Sequence, residues 1–234
     1  MEPSCGQSIV KYEKQKDDGR METQKRKQNE KEKAERRMKI VAGLGSIDEY
    51  IPYVLAGADE LFCGYVPYNW TKKYGTVLPL NRREVLAYNV QLGSFSELEI
   101  LSAMIRKYKK PVHIAMNSLY YIPEQYEEIA DIVKQCMKIG FDSFILADPA
   151  LILYLRQKGI SCKIHLSGEA GEMNREAIKV FREMGIGRII FHRKNTVASM
   201  RQMISCKYRK TGIRGLCIER IVSVHRSILQ FPSL

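Results

Sequence analysis

The stretch KIHLSGEAGEMNREAIKVFREMGIGRIIFHR (residues 163–193) decides the fold, because it reads as a strand, a helix and a second strand. Two short apolar runs, KIHLS (163–167) and RIIFH (188–192), flank a segment whose apolar residues recur at helical spacing. Asn174 can cap that helix at its start, and Gly185 can end it. Such a unit predicts two parallel strands joined by a crossover helix.

The same alternation of strand and helix runs through most of the chain. Ser94 and Glu97 have the spacing of a capping box. Pro123 suits the first turn of a further helix, and Thr196 can cap the last one. The predicted strands are KIVAGL (39–44), ELFCGY (60–65), VHIAMN (112–117), SFILAD (143–148), KIHLS (163–167) and RIIFH (188–192).

Parallel strands separated by helices form either a doubly wound sheet or a (β/α) barrel. The GLGS stretch after the first strand has the wrong spacing for the GxGxxG fingerprint of a dinucleotide-binding sheet. Polar residues recur at the C-terminal ends of most strands, which favours a barrel, whose site is assembled from all strand ends. We therefore predict an α/β fold of the TIM-like (β/α) barrel type. The barrel is incomplete, because its convincing strands are fewer than the usual eight.

The net charge of +12 is spread along the chain rather than concentrated on the predicted barrel. Residues 1–37 contribute +3, residues 38–205 contribute +4 and residues 206–234 contribute +5. Charge outside a folded domain attracts polyanions weakly and in a salt-dependent way, so we expect no specific nucleic-acid site. The first 37 residues lack apolar periodicity, which predicts a disordered charged extension and suggests Met38 as the natural start.

The composition also bears on location and cofactors. No run approaches the about 20 apolar residues of a membrane span, and the polar N-terminus does not resemble a signal peptide, so we expect a cytoplasmic protein. The cysteines are scattered without a CxxC pair, which predicts buried thiols and no metal site or cofactor in this chain. They are Cys5, Cys63, Cys136, Cys162, Cys206 and Cys217.

Residues 66–93 form an unusually long connection after the second predicted strand. It holds Trp70, the only tryptophan of the chain, together with Tyr68, Tyr74 and Tyr88. Connections of this length are often functional, so this one could cover the strand ends. A satellite aromatic cluster is an equally good interpretation.

Polar residues at the strand ends are the candidate catalytic residues. His165 and Ser167 are two residues apart and therefore point to the same side of their strand, with Glu169 just beyond them. His165 could act as an acid or base, and Glu169 could orient it or bind a cation. The alternative is a satisfied core histidine and a capping serine, and His113 is interpreted as structural. The full set of candidates is Asn117, Asp148, His165, Ser167, Glu169 and Arg193.

The chain from about residue 38 to residue 205 resembles the collagenase-like peptidase family U32. The resemblance is carried by GSIDEYIPYVLAGADELFCG, VHIAMNSL, FILADPALI and the long stretch quoted first. The family pattern falls on Gly57-Ala58-Asp59, Asn117, Asp148-Pro149, His165, Ser167, Asn174 and Arg193. Glu169 stands where many relatives carry glutamine.

The resemblance implies a barrel followed by cysteine-rich segments, and we consider three functions. The first is a collagenase-like protease or hydrolase acting on a peptide or other substrate, impaired here by truncation. The second is a fragment of an iron–sulfur enzyme that hydroxylates RNA or quinone, and the third is a non-catalytic fragment or binding module. The cysteines that bind the iron–sulfur cluster in full-length relatives follow the seventh strand of the barrel.

The tail departs from that pattern. GLCIERIVSVHRSILQFPSL (215–234) lacks the expected strand and cysteine run, although a frame shifted by one base can be back-translated into a stretch with the spacing Cys-x6-Cys. We therefore expect residues 206–234 to be irregular and compatible with a frameshift near residue 215. An unclosed parallel sheet exposes backbone donors and apolar positions, so self-association is also expected.

Overall fold

The computed structural model describes residues 39–75, 77–82, 91–192 and 194–204. Within them, six parallel strands pair strictly in chain order, as expected for successive right-handed crossovers. The predicted α/β fold is confirmed, since the sheet curls into a half-barrel with flanking helices. The strands are β1 (Val41–Leu44), β2 (Glu60–Gly64), β3 (Val112–Met116), β4 (Ser143–Leu146), β5 (Lys163–Leu166) and β6 (Arg188–Ile189).

The helices fill the connections and cover the outer face of the sheet. Ser94 and Glu97 form the predicted capping box, the Asn174 side chain accepts from the Ala177 N–H at 2.9 Å, and Thr196 Oγ1 accepts from the Ser199 N–H at 3.1 Å. The helices are α1 (Tyr50–Leu55), α2 (Tyr68–Tyr74), α3 (Phe95–Tyr108), α4 (Pro123–Lys138), α5 (Pro149–Gln157), α6 (Arg175–Glu183) and α7 (Val197–Ile204).

The two faces of the sheet differ in what they bury. The outer face and the helices share one large apolar core, which contains Leu61, Ile114 and Phe144. The inner face carries a small apolar cluster formed by Ala115, Ile145 and Ile190, with Phe62 packed against it. Because side chains alternate along each strand, the remaining inner positions are those two residues away from this cluster. The positions two residues before the cluster are polar, and they define the deeper part of the molecule described below.

All six strands are shorter than the sequence predicts, and β4 and β6 lose the most at their C-terminal ends. The strand predicted over 143–148 ends at Leu146, because Asp148 already caps α5. The strand predicted over 188–192 ends at Ile189, although Ile190 N still donates to the Leu166 carbonyl at 2.9 Å.

The described part of the long connection contains a helix. α2 forms inside it and buries Trp70 completely, so packing accounts for this tryptophan. Tyr88, the N-terminal extension, Arg193 and the tail of 206–234 lie outside the described residues. In the part that is described, no helix is both long and apolar enough to cross a membrane.

Candidate functional site

The C-terminal edge of the sheet brings three side chains together. Asn117 follows β3 directly, and its Oδ1 accepts from the backbone N–H of Arg82 at 3.3 Å. The guanidinium of Arg82 forms a short ion pair with the carboxylate of Glu169, which follows β5. Both charged side chains are a little over two-fifths exposed. Two of the predicted site residues, Asn117 and Glu169, are therefore connected through an arginine that the sequence analysis did not single out.

Ser167 lies between this edge and the interior. Its Oγ accepts from the backbone N–H of Glu169 at 3.3 Å and caps a single 3₁₀ turn over Gly168–Ala170. Gly168 is needed there, because a Cβ at this position would approach the Phe191 carbonyl to 3.0 Å. Ser167 is buried and acts in the structure as a cap, which agrees with the alternative interpretation of this residue.

Asp148 points away from the other candidates. Its Oδ1 accepts from the backbone N–H of Ala150 at 2.8 Å, and its Oδ2 accepts from the hydroxyl of Tyr126 on α4 at 3.2 Å. Burial and the neighbouring Asp148 carboxylate raise the pKa of Tyr126, so this hydroxyl remains a donor at neutral pH. Asp148 therefore joins the start of α5 to α4.

Substitution of Asp148 by alanine should lower the free energy of unfolding by about 1–2 kcal/mol, because a helix cap is lost and the Tyr126 hydroxyl loses its acceptor. Asp148→Asn, which keeps an acceptor oxygen, should recover most of the loss. The measurement is urea unfolding followed by circular dichroism. Unchanged stability in Asp148→Ala would contradict this structural assignment and restore Asp148 as a candidate for chemistry.

The position of Arg82 depends on an irregular segment over residues 78–82. Its carbonyls accept from side chains of the connection between β3 and α4. Pro79 O accepts from Ser118 Oγ at 2.5 Å, and Leu80 O accepts from the Tyr121 hydroxyl at 2.6 Å. Leu78 O accepts from Trp70 Nε1 at 3.2 Å. These bonds satisfy backbone groups that no strand or helix satisfies, and they fix the segment against the edge of the sheet.

Asn81 occupies the end of β2. It is buried, and its Nδ2 donates to Gln91 Oε1 at 2.7 Å. A Cβ on Gly64 would lie only 2.7 Å from that same Nδ2, so the glycine makes room for the amide. The only sequence signal for Asn81 and Arg82 was the polar NRR that follows the apolar VLPL inside the long connection.

A second set of polar residues lies deeper, on the inner face near the N-terminal ends of the strands. Glu60 Oε2 accepts from Arg188 Nη1 at 2.5 Å, and its Oε1 accepts from Nη2 at 3.2 Å. His113 bridges Glu60 Oε2 at 3.1 Å and Ser143 Oγ at 2.6 Å through its two ring nitrogens. The His165 ring packs edge-on against His113, with ring centroids 4.5 Å apart. We call these five residues the buried polar layer.

His165 belongs to this layer rather than to the edge where Asn117 and Glu169 meet. Its Nδ1 is buried and has no hydrogen-bond partner among the described residues. Burial is the main reason that its pKa falls to about 3, and the charges of His113 and Arg188 lower it further. His165 is therefore neutral at physiological pH. His113, which the sequence analysis interpreted as structural, is part of the same layer.

The described cysteines are poor candidates for a metal or cluster site. Cys63, Cys136 and Cys162 are all buried. Burial raises the pKa of the Cys136 thiol to about 12 and raises that of Cys162 as well, so neither readily forms the thiolate that a cluster needs. Within the described ranges, no three His, Cys, Asp or Glu side chains come together in a way that could hold a metal ion.

The model of peptidase family U32 matches residues 45–223. The chain belongs to peptidase family U32. The match begins directly after β1 and covers β2 to β6. It includes all six candidate site residues. The resemblance inferred from the sequence is thereby confirmed.

Two curated relatives of the chain carry the name tRNA hydroxylation protein. The protein named P from Escherichia coli K12 is 25% identical over 147 residues, which cover 63% of this chain and 29% of that protein. The protein named P1 from Bacillus subtilis 168 is 22% identical over 164 residues, which cover 70% of this chain and 35% of that protein. The chain thus spans about a third of the length of these relatives.

Among solved structures, one described as the U32 peptidase Mk0906 is similar to the chain with a TM-score of 0.45 and 16% identity. The similarity covers 66% of this chain and 58% of that one.

Proposed function

We propose that this chain is the barrel part of an RNA-hydroxylating enzyme and acts on transfer RNA. The observation that carries the proposal is the pair of relatives above, from two different bacteria, which match 63% and 70% of the chain and share the name tRNA hydroxylation protein. The family match over residues 45–223 contains the strands that build the edge where Asn117, Arg82 and Glu169 meet. A polar strand-end edge is where parallel barrels hold substrates.

The hydrolytic reading has less support from the side-chain geometry. A serine hydrolase needs a nucleophilic hydroxyl within reach of a base that is itself oriented by a carboxylate. Here the Ser167 hydroxyl caps a turn, and the Asp148 carboxylate is engaged by Ala150 and Tyr126. His165 packs against His113 in the buried polar layer. These three residues therefore do not form a serine-hydrolase site, and the names of the relatives support RNA hydroxylation over collagenase-like proteolysis.

Hydroxylation of a nucleoside also requires a redox group and an oxygen donor. The buried thiols of Cys136 and Cys162 do not fit an iron–sulfur cluster, so we derive no step through such a group. In the proposal, the residues described here bind and orient RNA. The redox chemistry belongs to regions that the full-length relatives have in addition to the matched segment.

A chimera tests the proposal. The matched segment of the Escherichia coli relative is replaced by the corresponding segment of this chain, and the chimera is produced in a strain that lacks the relative. Transfer RNA from this strain is digested to nucleosides and analysed by mass spectrometry. We expect a nucleoside heavier by one oxygen atom to reappear in the chimera strain, and to be absent from the strain that carries an empty vector.

The 234-residue chain is assayed in parallel for cleavage of fluorescent gelatin, with no cleavage expected. A chimera with Lys163→Ala serves as a matched control, because that lysine pairs with Asp142 on the exposed opposite edge of the sheet. A soluble chimera that gives no hydroxylated nucleoside would contradict the proposal. Gelatin cleavage by the chain would favour the hydrolytic reading instead.

A further inference from the structure

Large apolar side chains protrude from the C-terminal edge of the sheet. Tyr68, at the start of α2, is 75% exposed, and Tyr120, in the connection after β3, is 68% exposed. Leu119 beside it is half exposed. Because β2 and β3 are parallel neighbours, the connections that follow them lie on the same edge. We call Tyr68, Arg82, Leu119 and Tyr120 the rim.

Hydrogen bonds anchor the loop that carries Leu119 and Tyr120. Ser118 and Tyr121, on either side of Leu119 and Tyr120, are both 5% exposed. Their hydroxyls donate to the carbonyls of Pro79 and Leu80, as described above. The two chain segments are thereby fixed side by side, while the residues between the two anchors face solvent. An exposed aromatic side chain on a fixed loop is preorganised for binding, because little conformational entropy is lost when a partner arrives.

Arg82 brings a positive charge to the same edge of the sheet, next to Asn117 at the end of β3. Its backbone N–H is anchored to Asn117, and its guanidinium is paired with Glu169. Both side chains remain partly exposed, so an incoming anion can reach the pair. An arginine fork binds a phosphate with the same geometry as a carboxylate. A phosphate can therefore take the place of Glu169 without any movement of the backbone around Arg82.

We propose that the rim binds single-stranded RNA, with bases stacked on Tyr120 and Tyr68 and a backbone phosphate bound to Arg82 in place of Glu169. The inference rests on the proposed function and specifies which surface holds the RNA. Aromatic side chains next to a cation are the usual means by which proteins hold unpaired nucleotides. Leu119 extends the apolar surface beside the stacked base.

The test uses the full 234-residue chain and a fluorescein-labelled RNA stem–loop, with binding followed by fluorescence anisotropy at fixed salt. Tyr120→Ala should weaken binding about tenfold, because a stacking surface is lost. Tyr120→Phe should bind within about twofold of the unmodified chain, because the ring is kept. Leu153→Ala, which shortens an exposed side chain on α5, is the matched control and should have no effect.

Substitutions of the two members of the ion pair should change the affinity for RNA in opposite directions. Arg82→Ala should weaken binding and reduce the salt dependence of the affinity by about one phosphate contact. Glu169→Gln should strengthen binding, because it removes the competing carboxylate and leaves Arg82 in place. If the pair had only a structural role, both substitutions would act in the same direction. Lys163→Ala breaks an exposed ion pair at the opposite edge and should leave the affinity unchanged.

The outcomes separate this proposal from the proposed function. If the chimera hydroxylates transfer RNA but Tyr120→Ala and Arg82→Ala bind RNA normally, the RNA-binding role of the rim is wrong and the proposed function is supported. If RNA binding depends on the rim but the chimera produces no hydroxylated nucleoside, the RNA-binding role of the rim is supported and the proposed function is wrong. A chain that binds no RNA, or a rim whose variants alter binding of a gelatin peptide but not of RNA, would overturn the proposal.

Discussion

Substitution of Glu60 by alanine should lower the free energy of unfolding by about 3–5 kcal/mol, the usual cost of removing one partner of a buried ion pair. The Glu60 side chain is 4% exposed and that of Arg188 is 16% exposed, so solvent screens this pair only weakly. The same substitution removes the partner of His113 Nε2. Urea unfolding followed by tryptophan fluorescence measures the effect, since Trp70 is fully buried.

Two further variants establish the cause of this loss. Lys163→Ala breaks the exposed pair with Asp142 and should change stability by about 0.5 kcal/mol or less, because solvent screens that pair. The double variant Glu60→Leu/Arg188→Met removes both buried charges together and should recover much of the stability. If the single Glu60 variant were as stable as the Lys163 variant, the buried polar layer would have no structural role.

Acidification should destabilise the protein through His165. The pKa of this residue is about 3 in the folded chain, whereas an unperturbed histidine has a pKa near 6.5. Between these two pH values the unfolded chain therefore binds a proton that the folded chain does not bind. The stability that neutral His165 contributes is complete above about pH 6.5 and falls as the pH decreases toward 3. The slope should be about 1.4 kcal/mol per pH unit, or about 2 kcal/mol between pH 6.5 and pH 5.

The test is urea unfolding at several pH values from 7 down to 5, a range in which most carboxylates stay charged. His165→Leu should flatten the pH dependence, because it removes the titrating ring from the buried polar layer. His192→Gln provides a control at a less buried histidine outside that layer. A His165→Leu variant whose stability still falls by about 2 kcal/mol over this range would show that another group carries the effect.

The elements of the half-barrel could be predicted from the sequence because their signals are local. The capping box of Ser94 and Glu97 and the cap at Asn174 each involve neighbouring residues. The strand periods and the polar strand ends are likewise visible within a few residues, and together they indicate the barrel class. The ends of β4 and β6 were less predictable, because a cap or a turn competes with the last strand residues.

The contacts of the candidate site could not be predicted in the same way. Arg82 and Glu169 are 87 residues apart, and nothing in the local pattern of either residue identifies its partner. His165 lies within β5 and Ser167 caps the turn that follows it, and the depth of each residue depends on how strongly the sheet curls. The sequence therefore indicated which strand ends carry polar groups, whereas the partners of those groups depend on the tertiary fold.

The pairing of Glu60 with Arg188 has a consequence for the order of folding. The two residues are 128 positions apart and belong to β2 and β6, which are not neighbours in the sheet. Their ends can meet only after the intervening strands have formed and the sheet has curled, because closing so long a loop earlier would cost entropy without the contacts that repay it. We therefore expect the pair to form late, after the main barrier to folding. Its loss should accelerate unfolding and leave the rate of folding nearly unchanged, so that the ion pair lengthens the lifetime of the native state.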